Sequence, residues 1–320
     1  ISPIGVAYGG SWGYTMLQET NTDSLKSYFY WIQERHSIYK ARVRGDEPPW
    51  TKDKILQDYR FTNPFRENDK TTIWMREHFT EPNRKRPYAE IFFNCCFFRM
   101  IGTSEFADDH GWVYFQNWDP EYTKSLIERR LQNKQRTFTG AYIITNQGLK
   151  LKKSEVVVDH FLKPIWENRL KLADVARKTN SLEATHKELK QHRGWGGGGF
   201  MAYEVITDLN YTPVLRNAVD KRTWANAGPG AVRGLNRLRD RPLKKHLKPE
   251  QCNKEMHFLL QASEDYLTDE ILNHIDMRTI EHSLCEWDKY QRVLLDQGRP
   301  RGRFVSSIAF KNKTFKGAVN

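Results

Sequence analysis

Apolar residues recur at helical spacing along most of the chain. In Phe29-Tyr30-Trp31-Ile32-Gln33-Glu34-Arg35-His36-Ser37-Ile38-Tyr39, the residues Trp31, Glu34, Arg35 and Ile38 stand three or four apart, so polar and apolar groups share one face. A helix is predicted from an Asp23-Ser24 cap to about Arg44, stopped by residues 45–49. A short helix opens at Thr51 or Asp53, and residues 71–79 continue the helical pattern. Residues 91–98 are apolar all round, which predicts a fully buried helix with no chemistry of its own. Residues 103–119 are expected to be a loop, 120–132 a charged helix, and 139–145 the one convincing strand. Helix returns over 154–176, 182–191, 200–209, 213–219 and 249–266. A last helix over 276–290 carries Ile280, Leu284 and Trp287 as its stripe, flanked by Glu281, Cys285 and Asp288. The fold class is mainly α, with few short strands.

Domain organisation follows from the same pattern. A Gly-, Ser- and Thr-rich irregular arm is expected over 1–23, one large helical domain over 24–292, and a basic tail over 293–320. Two lobes, about 24–150 and 151–292, are the alternative division of the helical domain. The chain begins with Ile, as expected of one whose own N-terminus is missing or processed.

Between two of the predicted helices lies Arg193-Gly194-Trp195-Gly196-Gly197-Gly198-Gly199-Phe200. Helix, glycine turn, helix is the outline of a helix-hairpin-helix, and Gly196, Gly198 and Ala202 stand at its G-x-G-x-x-x-A spacing. Glycine tolerates positive φ and close approach, and the following helix offers N–H groups and a positive dipole end to an anion such as DNA phosphate. A glycine loop that merely ends a helix is the competing reading. Gly228-Pro229-Gly230 forms a second such turn, with Arg233 after it, and is a second candidate phosphate cradle.

Composition sharpens this. Among 320 residues Lys and Arg exceed Asp and Glu by 51 − 39 = 12, which favours an anionic partner, nucleic acid first. Aromatic residues make up 13%, enough for base stacking as well as a core. Four cysteines without a C-x-x-C pair argue against zinc or a disulfide framework and fit a reducing compartment. No apolar run approaches membrane-spanning length, and no signal pattern opens the chain. A cytoplasmic location is expected, in the host if phage-encoded, or a nuclear one in a eukaryote.

Tyr59-Arg60-Phe61-Thr62-Asn63-Pro64-Phe65-Arg66-Glu67 mixes arginines with aromatics around a proline. Arg60 and Arg66 have the fork that phosphate recognition uses, or they form buried ion pairs between helices. Asp108-Asp109-His110 has metal-ligand residue types, but a solvated loop is expected and no metal site is assigned. The tail Arg299-Pro300-Arg301-Gly302-Arg303 is a cationic arm suited to a DNA groove or simply to solubility. No G-x-x-x-x-G-K-[ST] exists, so there is no P-loop, and no G-x-S-x-G or H-E-x-x-H either. Asp208 follows the first glycine turn and Asp220 precedes the second. A carboxylate near a phosphate-binding turn suits enzymes that flip a base and then attack or deprotonate it. The layout resembles helix-hairpin-helix DNA glycosylases, whose catalytic Asp follows the hairpin by a helix and a turn; Asp220 is the matching position. Structural carboxylates capping helices are the alternative for each acid.

Five motifs in order extend the likeness. They are the Phe29–Tyr39 stretch, the Tyr59–Glu67 stretch, Gly198-Gly199-Phe200-Met201-Ala202-Tyr203-Glu204 with Thr207-Asp208-Leu209, Gly228-Pro229-Gly230-Ala231-x-Arg233-Gly234-Leu235, and Glu281-His282-x-Leu284-Cys285-Glu286-x-Asp288-Lys289-Tyr290. This set resembles the phage-type DNA thymine hypermodification proteins: the helical domain of 5-hydroxymethyl-deoxyuridine DNA kinases and the alpha-glutamyl/putrescinyl thymine pyrophosphorylases. The resemblance implies chemistry on duplex DNA with a modified base, in which a 5-hydroxymethyl-uracil is pyrophosphorylated and an amine then displaces pyrophosphate. Without a P-loop, the displacement step is expected rather than phosphorylation. An amine co-substrate and a divalent metal with the pyrophosphate are the implied small molecules, and a separate DNA base kinase the implied partner. By matched position Arg60, Arg66, Arg233, Gly228 and Gly230 are expected at phosphate, as are Gly196 and Gly198 of the hairpin. Asp208, Asp220 and Glu281 are the candidate bases, with Glu34, Arg35, His36 and Asn63 lining the pocket. Glycosylase-like base excision and a non-catalytic DNA-binding or assembly domain are the alternatives.

Overall fold

A computed structural model of the chain describes residues 16, 18–300 and 302–304. Most of the expected N-terminal arm and of the basic tail, including Arg301, lies outside the described residues. The chain is mainly α; among the described residues no strand occurs, only an isolated bridge between Tyr59 and Arg303.

In chain order the helices are α1 (Thr22–Arg44), α2 (Lys54–Asp58), α3 (Lys70–Trp74, running into a π turn, Met75–Thr80), α4 (Tyr88–Ile101), α5 (Ser104–His110) and α6 (Pro120–Gln132). Lys153–Glu155 and a second π turn, Val156–Leu162, feed α7 (Lys163–Thr179). Then come α8 (Leu182–Leu189), α9 (Phe200–Leu209), α10 (Pro229–Leu238), α11 (Pro249–Ala262), α12 (Asp269–Leu272) and α13 (Met277–Leu294). Two compact units emerge: the first draws on the described parts of Ile1–Arg66 and Ala227–Asn320, the second is Glu67–Asn226.

In the second unit α4 is the central element. It packs on α7 and α9, and Phe92, Phe93 and Phe97 are fully buried. Burial on every side explains why its sequence shows no polar face. The polar residues it does carry are all satisfied inside: Glu90 accepts from Arg86 Nε (2.6 Å), Trp112 Nε1 (2.6 Å) and the Phe115 N–H (2.9 Å). Asn94 exchanges two bonds with the Val113 backbone. In the first unit α10 lies along α13, with α1 and α11 against them. Trp31 and Trp287 are fully buried there.

Several sequence expectations change. The cap of α1 is Asn21, whose side chain accepts the Ser24 N–H at 2.9 Å, not Asp23 or Ser24. Residues 104–110, expected as loop, form α5; Asp109 pairs with Arg130, and His110 meets Thr123 Oγ1 at 2.9 Å. The expected strand over 139–145 has no partner strand among the described residues. Two of its amides go elsewhere, Thr139 N–H to Ile101 O in α4 (2.9 Å) and Ala141 N–H to Thr139 Oγ1 (3.1 Å). The expected helix over 213–219 is a run of turns. Pro213 has no N–H, and the Val214 and Leu215 amides turn back to Thr212 Oγ1 and Leu209 O. The tail's described part is anchored: Gly302 O accepts the Arg60 N–H at 3.0 Å, and Phe304 N–H donates to Asp58 O at 2.9 Å.

Candidate functional site

In the first unit, α1 and α13 meet residues 59–63. Arg35 on α1 is buried, and its guanidinium donates from Nε (3.3 Å) and Nη2 (3.2 Å) to the Phe61 carbonyl. The next residue, Thr62, faces α13. Its N–H donates to Glu286 Oε2 at 2.9 Å, and its hydroxyl lies 2.6 Å from His282 Nε2. Lys289 Nζ sits 2.7 Å from Glu286 Oε2 and 5.1 Å from the centre of the Phe61 ring. Burial pushes the Glu286 carboxyl up, but Lys289, His282 and the Thr62 N–H outweigh it, and the group is held below the usual carboxylate range. His282 and Glu286 are one turn apart on α13, so both can face one short segment.

One turn around α13, Glu281 and Asp288 face α10. Glu281 accepts the Gly228 N–H at 3.1 Å and pairs with Arg278 Nη1 at 3.1 Å. Asp288 is fully buried and receives Arg233 Nε and Arg237 Nε, both at 2.8 Å, with Arg292 Nε at 3.6 Å. Gly228 has φ −76° and ψ 170°, an extended conformation open to any residue. Gly230 and Gly234 instead serve close helix packing. A Cβ at Gly230 would collide with Cys285 Sγ, and one at Gly234 would lie 2.8 Å from the Leu284 carbonyl.

The three consecutive residues Glu34, Arg35 and His36 point apart, as neighbours on a helix must. Glu34 accepts from the Thr51 hydroxyl, Arg35 holds Phe61, and His36 Nε2 lies 3.5 Å from Glu270 with its ring edge-on to Phe65. Burial lowers the His36 pKa against the pull of Glu270. Asn63 is buried, Arg66 half-buried and Arg60 exposed.

The second unit holds the hairpin and two of the three candidate acids. Asp220 caps α8: its carboxylate accepts the Leu182 N–H (2.8 Å), the Glu183 N–H (3.0 Å) and the Ser181 hydroxyl (2.7 Å). Asp208 is buried in a two-pronged pair with Arg99, which Glu204 approaches to 3.8 Å. Burial pulls the Arg99 pKa down, and the Asp208 charge outweighs it and raises it. Thus Asp208, Asp220 and Glu281 all already accept donors from their own unit.

The hairpin turn is packed, not loose. Trp195 is fully buried and donates to Phe161 O at 3.1 Å. The left-handed residues are Gly194 (φ 90°), Gly197 (φ 62°) and Gly199 (φ 76°), whereas Gly196 and Gly198 are not left-handed. Gly196 is needed for space, since a Cβ would lie 3.0 Å from Lys190 O; around Gly198 a Cβ would meet nothing. Gly198 O accepts from Asn226 Nδ2 at 3.0 Å. His186 Nε2 bonds Gly199 O at 3.0 Å, and burial lowers its pKa to about 4, so the ring is neutral and donates. Among the described residues no group of His, Cys, Asp and Glu gathers to hold a metal. No described helix is long and apolar enough to cross a membrane.

Residues 22–299 match the family model described as 5-hmdU DNA kinase, helical domain. The chain belongs to this family. A curated relative, the 5-hmdU DNA kinase of Bacillus phage SP10, is 25% identical over 297 residues, covering 85% of this chain and 45% of the relative. The chain thus spans less than half the length of that relative. No solved structure matches it.

In the sequence the acids nearest the glycines are the conspicuous ones; His282, Glu286 and Lys289 stand unmarked within the last motif, and Thr62 within a stretch whose arginines suggest phosphate binding. Their one signal was spacing: Glu281, Cys285 and Asp288 form one face of α13, and His282, Glu286 and Lys289 the adjacent one. Asp53 gave less warning. It caps α2 and also accepts from Tyr290 OH (2.8 Å) and Tyr30 OH (3.2 Å), partners 237 and 23 residues away.

Proposed function

We propose that this chain binds duplex DNA and acts in the hypermodification of 5-hydroxymethyluracil, at the step in which an amine displaces pyrophosphate from a 5-pyrophosphoryloxymethyl-uracil base. Family membership supports the pathway, and one observation supports a reactive site: Arg35 of α1 holds the Phe61 carbonyl while His282 and Glu286 of α13 bond the adjacent Thr62, with Lys289 paired to Glu286. In this reading the base leaves the stack. The amine nitrogen attacks the 5-methylene carbon, the carbon–oxygen bond to pyrophosphate breaks, and the amine proton passes to His282, with Glu286 stabilising the imidazolium. Arg60 and Arg66 hold phosphate oxygens. Asp208, Asp220 and Glu281 hold helices in place, consistent with the donors each accepts.

The experiment is mass spectrometry of nucleosides after modified DNA is incubated with the protein and an amine. A mass gain on the nucleoside with release of pyrophosphate is expected. Free base would mean glycosidic cleavage instead. His282→Gln should lower turnover by about 10²-fold with duplex affinity kept, while Asp220→Asn keeps turnover wherever the protein stays folded. Loss of turnover in a folded Asp220→Asn protein would restore Asp220 as the base.

A second reading draws on the description of the matching family as a helical domain. In it the chain is the DNA-holding part beside a separate base kinase and carries out no chemistry itself. Duplex binding with steep salt dependence, but no change in any nucleoside, is its signature.

A further inference from the structure

The second unit carries a surface that neither reading of the Thr62 site uses. Between Glu128 and Glu155 there is no acidic residue, and between Glu188 and Glu204 there is none either. These two acid-free stretches are adjacent in space. Arg193 Nη2 donates to Gln147 O at 2.9 Å, and the Tyr142 ring stands edge-on to Phe200 at 5.5 Å between centroids. Lys134, Lys150, Lys152 and Arg193 are exposed; of these, Lys152 lies 3.6 Å from Glu128.

Four large apolar side chains are exposed in these stretches, Leu131, Ile143, Leu151 and Phe200. Ile143 is 82% exposed, more than any other large apolar side chain among the described residues, and Phe200 is 52% exposed. A single exposed isoleucine is ordinary. This one is displayed on a braced loop. Its neighbours Tyr142 and Ile144 turn inward, Tyr142 OH donating to Arg99 O at 2.6 Å and Ile144 packing on the core. Leu149 anchors the far end. The loop's backbone is therefore fixed while the Ile143 side chain stands in water beside the glycine turn.

We propose that the 139–148 loop and the 194–200 turn form a duplex-DNA surface, in which the cations meet phosphates and Ile143 enters the base stack as a wedge. This rests on the DNA-binding reading above and adds where the duplex is opened. The occupant is argued from charge: two adjoining stretches with several exposed cations and no acid suit a polyanion, and an apolar wedge between base steps is how such surfaces unstack a base. Phe200 lies where an aromatic face can support an unstacked base.

The test uses the whole chain and a short duplex with 2-aminopurine next to 5-hydroxymethyluracil, since that base fluoresces when unstacked. The protein should raise the fluorescence several-fold. Ile143→Ala should bind the duplex within about threefold of the parent, by the loss of one exposed aliphatic contact, yet lose most of the fluorescence rise. Ile143→Met should restore it. Lys150→Gln with Arg193→Gln should weaken binding and flatten its salt dependence by about two phosphate contacts. An unchanged rise in Ile143→Ala overturns the wedge while leaving DNA binding standing. Absence of duplex binding by the parent chain overturns both. Binding to vesicles of phosphatidylglycerol and phosphatidylcholine that depends on Ile143, without unstacking, would make the surface a membrane-facing one and also overturn the proposal.

Discussion

The two glycine turns look alike in sequence and differ in almost every physical respect. At residues 194–199 three glycines are left-handed, Trp195 is buried beneath them, and Gly197 and Gly198 face solvent. At Gly228 and Gly230 no glycine is left-handed, the Gly228 N–H is taken by Glu281, and Gly230 lies against Cys285. One turn uses glycine for backbone conformation, the other for the approach of two helices. A glycine's purpose therefore depends on what lies across from it, which local sequence does not state. The acids differ in the same way. Asp220 satisfies amides at the start of the helix that leads into the first turn, whereas Asp288 neutralises arginines on the helix that follows the second.

The largest expected effect breaks the second turn's side of this contrast. Asp288→Asn removes the charge that Arg233, Arg237 and Arg292 share in a fully buried position. Arg237 is the buried one of the three, and leaving it uncompensated costs about 3–5 kcal/mol, while Arg233 and Arg292, each about a third exposed, add little. Urea unfolding should show that loss. A change below about 1 kcal/mol would mean that glycine packing alone holds α10 on α13.

The first turn should respond to acid through His186. Burial lowers its folded pKa from 6.5 to about 4. The unfolded state then binds more protons between those values, so this contribution is complete above about pH 6.5, falls as pH drops toward 4, and is constant below. The shift corresponds to at most about 3.4 kcal/mol. His186→Gln keeps a donor for Gly199 O and should flatten the pH dependence of stability in that window. An unaltered slope would assign it to other histidines, since burial also lowers His36, His110 and His192.

Much of the helical order was legible because each long helix buries one stripe or, for α4, every face. The two helices flanking the first glycine turn were legible too, from four glycines between apolar runs. What the sequence concealed were alternatives settled by distant partners. Residues 139–145 have strand-like composition, but among the described residues no neighbouring strand takes their amides. Residues 213–219 have helical spacing, but Thr212 and Leu209 capture the amides after Pro213. The acids were misweighted for the same reason. Asp208 was visible as an acid near a glycine turn, while its partner Arg99 lies 109 residues away inside a helix that showed no polar face. Thr62 and His282 are 220 residues apart, and only folding makes them neighbours.

The finest test of the contrast compares one glycine from each region. Gly234→Ala places a methyl 2.8 Å from a backbone carbonyl that cannot rotate away. The two helices must separate, which costs about 1–3 kcal/mol. Gly198→Ala meets no atom within 4 Å and needs no left-handed backbone, so its stability should stay within about 0.5 kcal/mol of the parent. That neutrality makes it informative about function. A stable Gly198→Ala protein with weakened duplex binding would place DNA against the exposed face of the first turn, where a methyl blocks a phosphate. Unchanged binding would leave Gly197, with its φ of 62°, as the glycine on which that face depends.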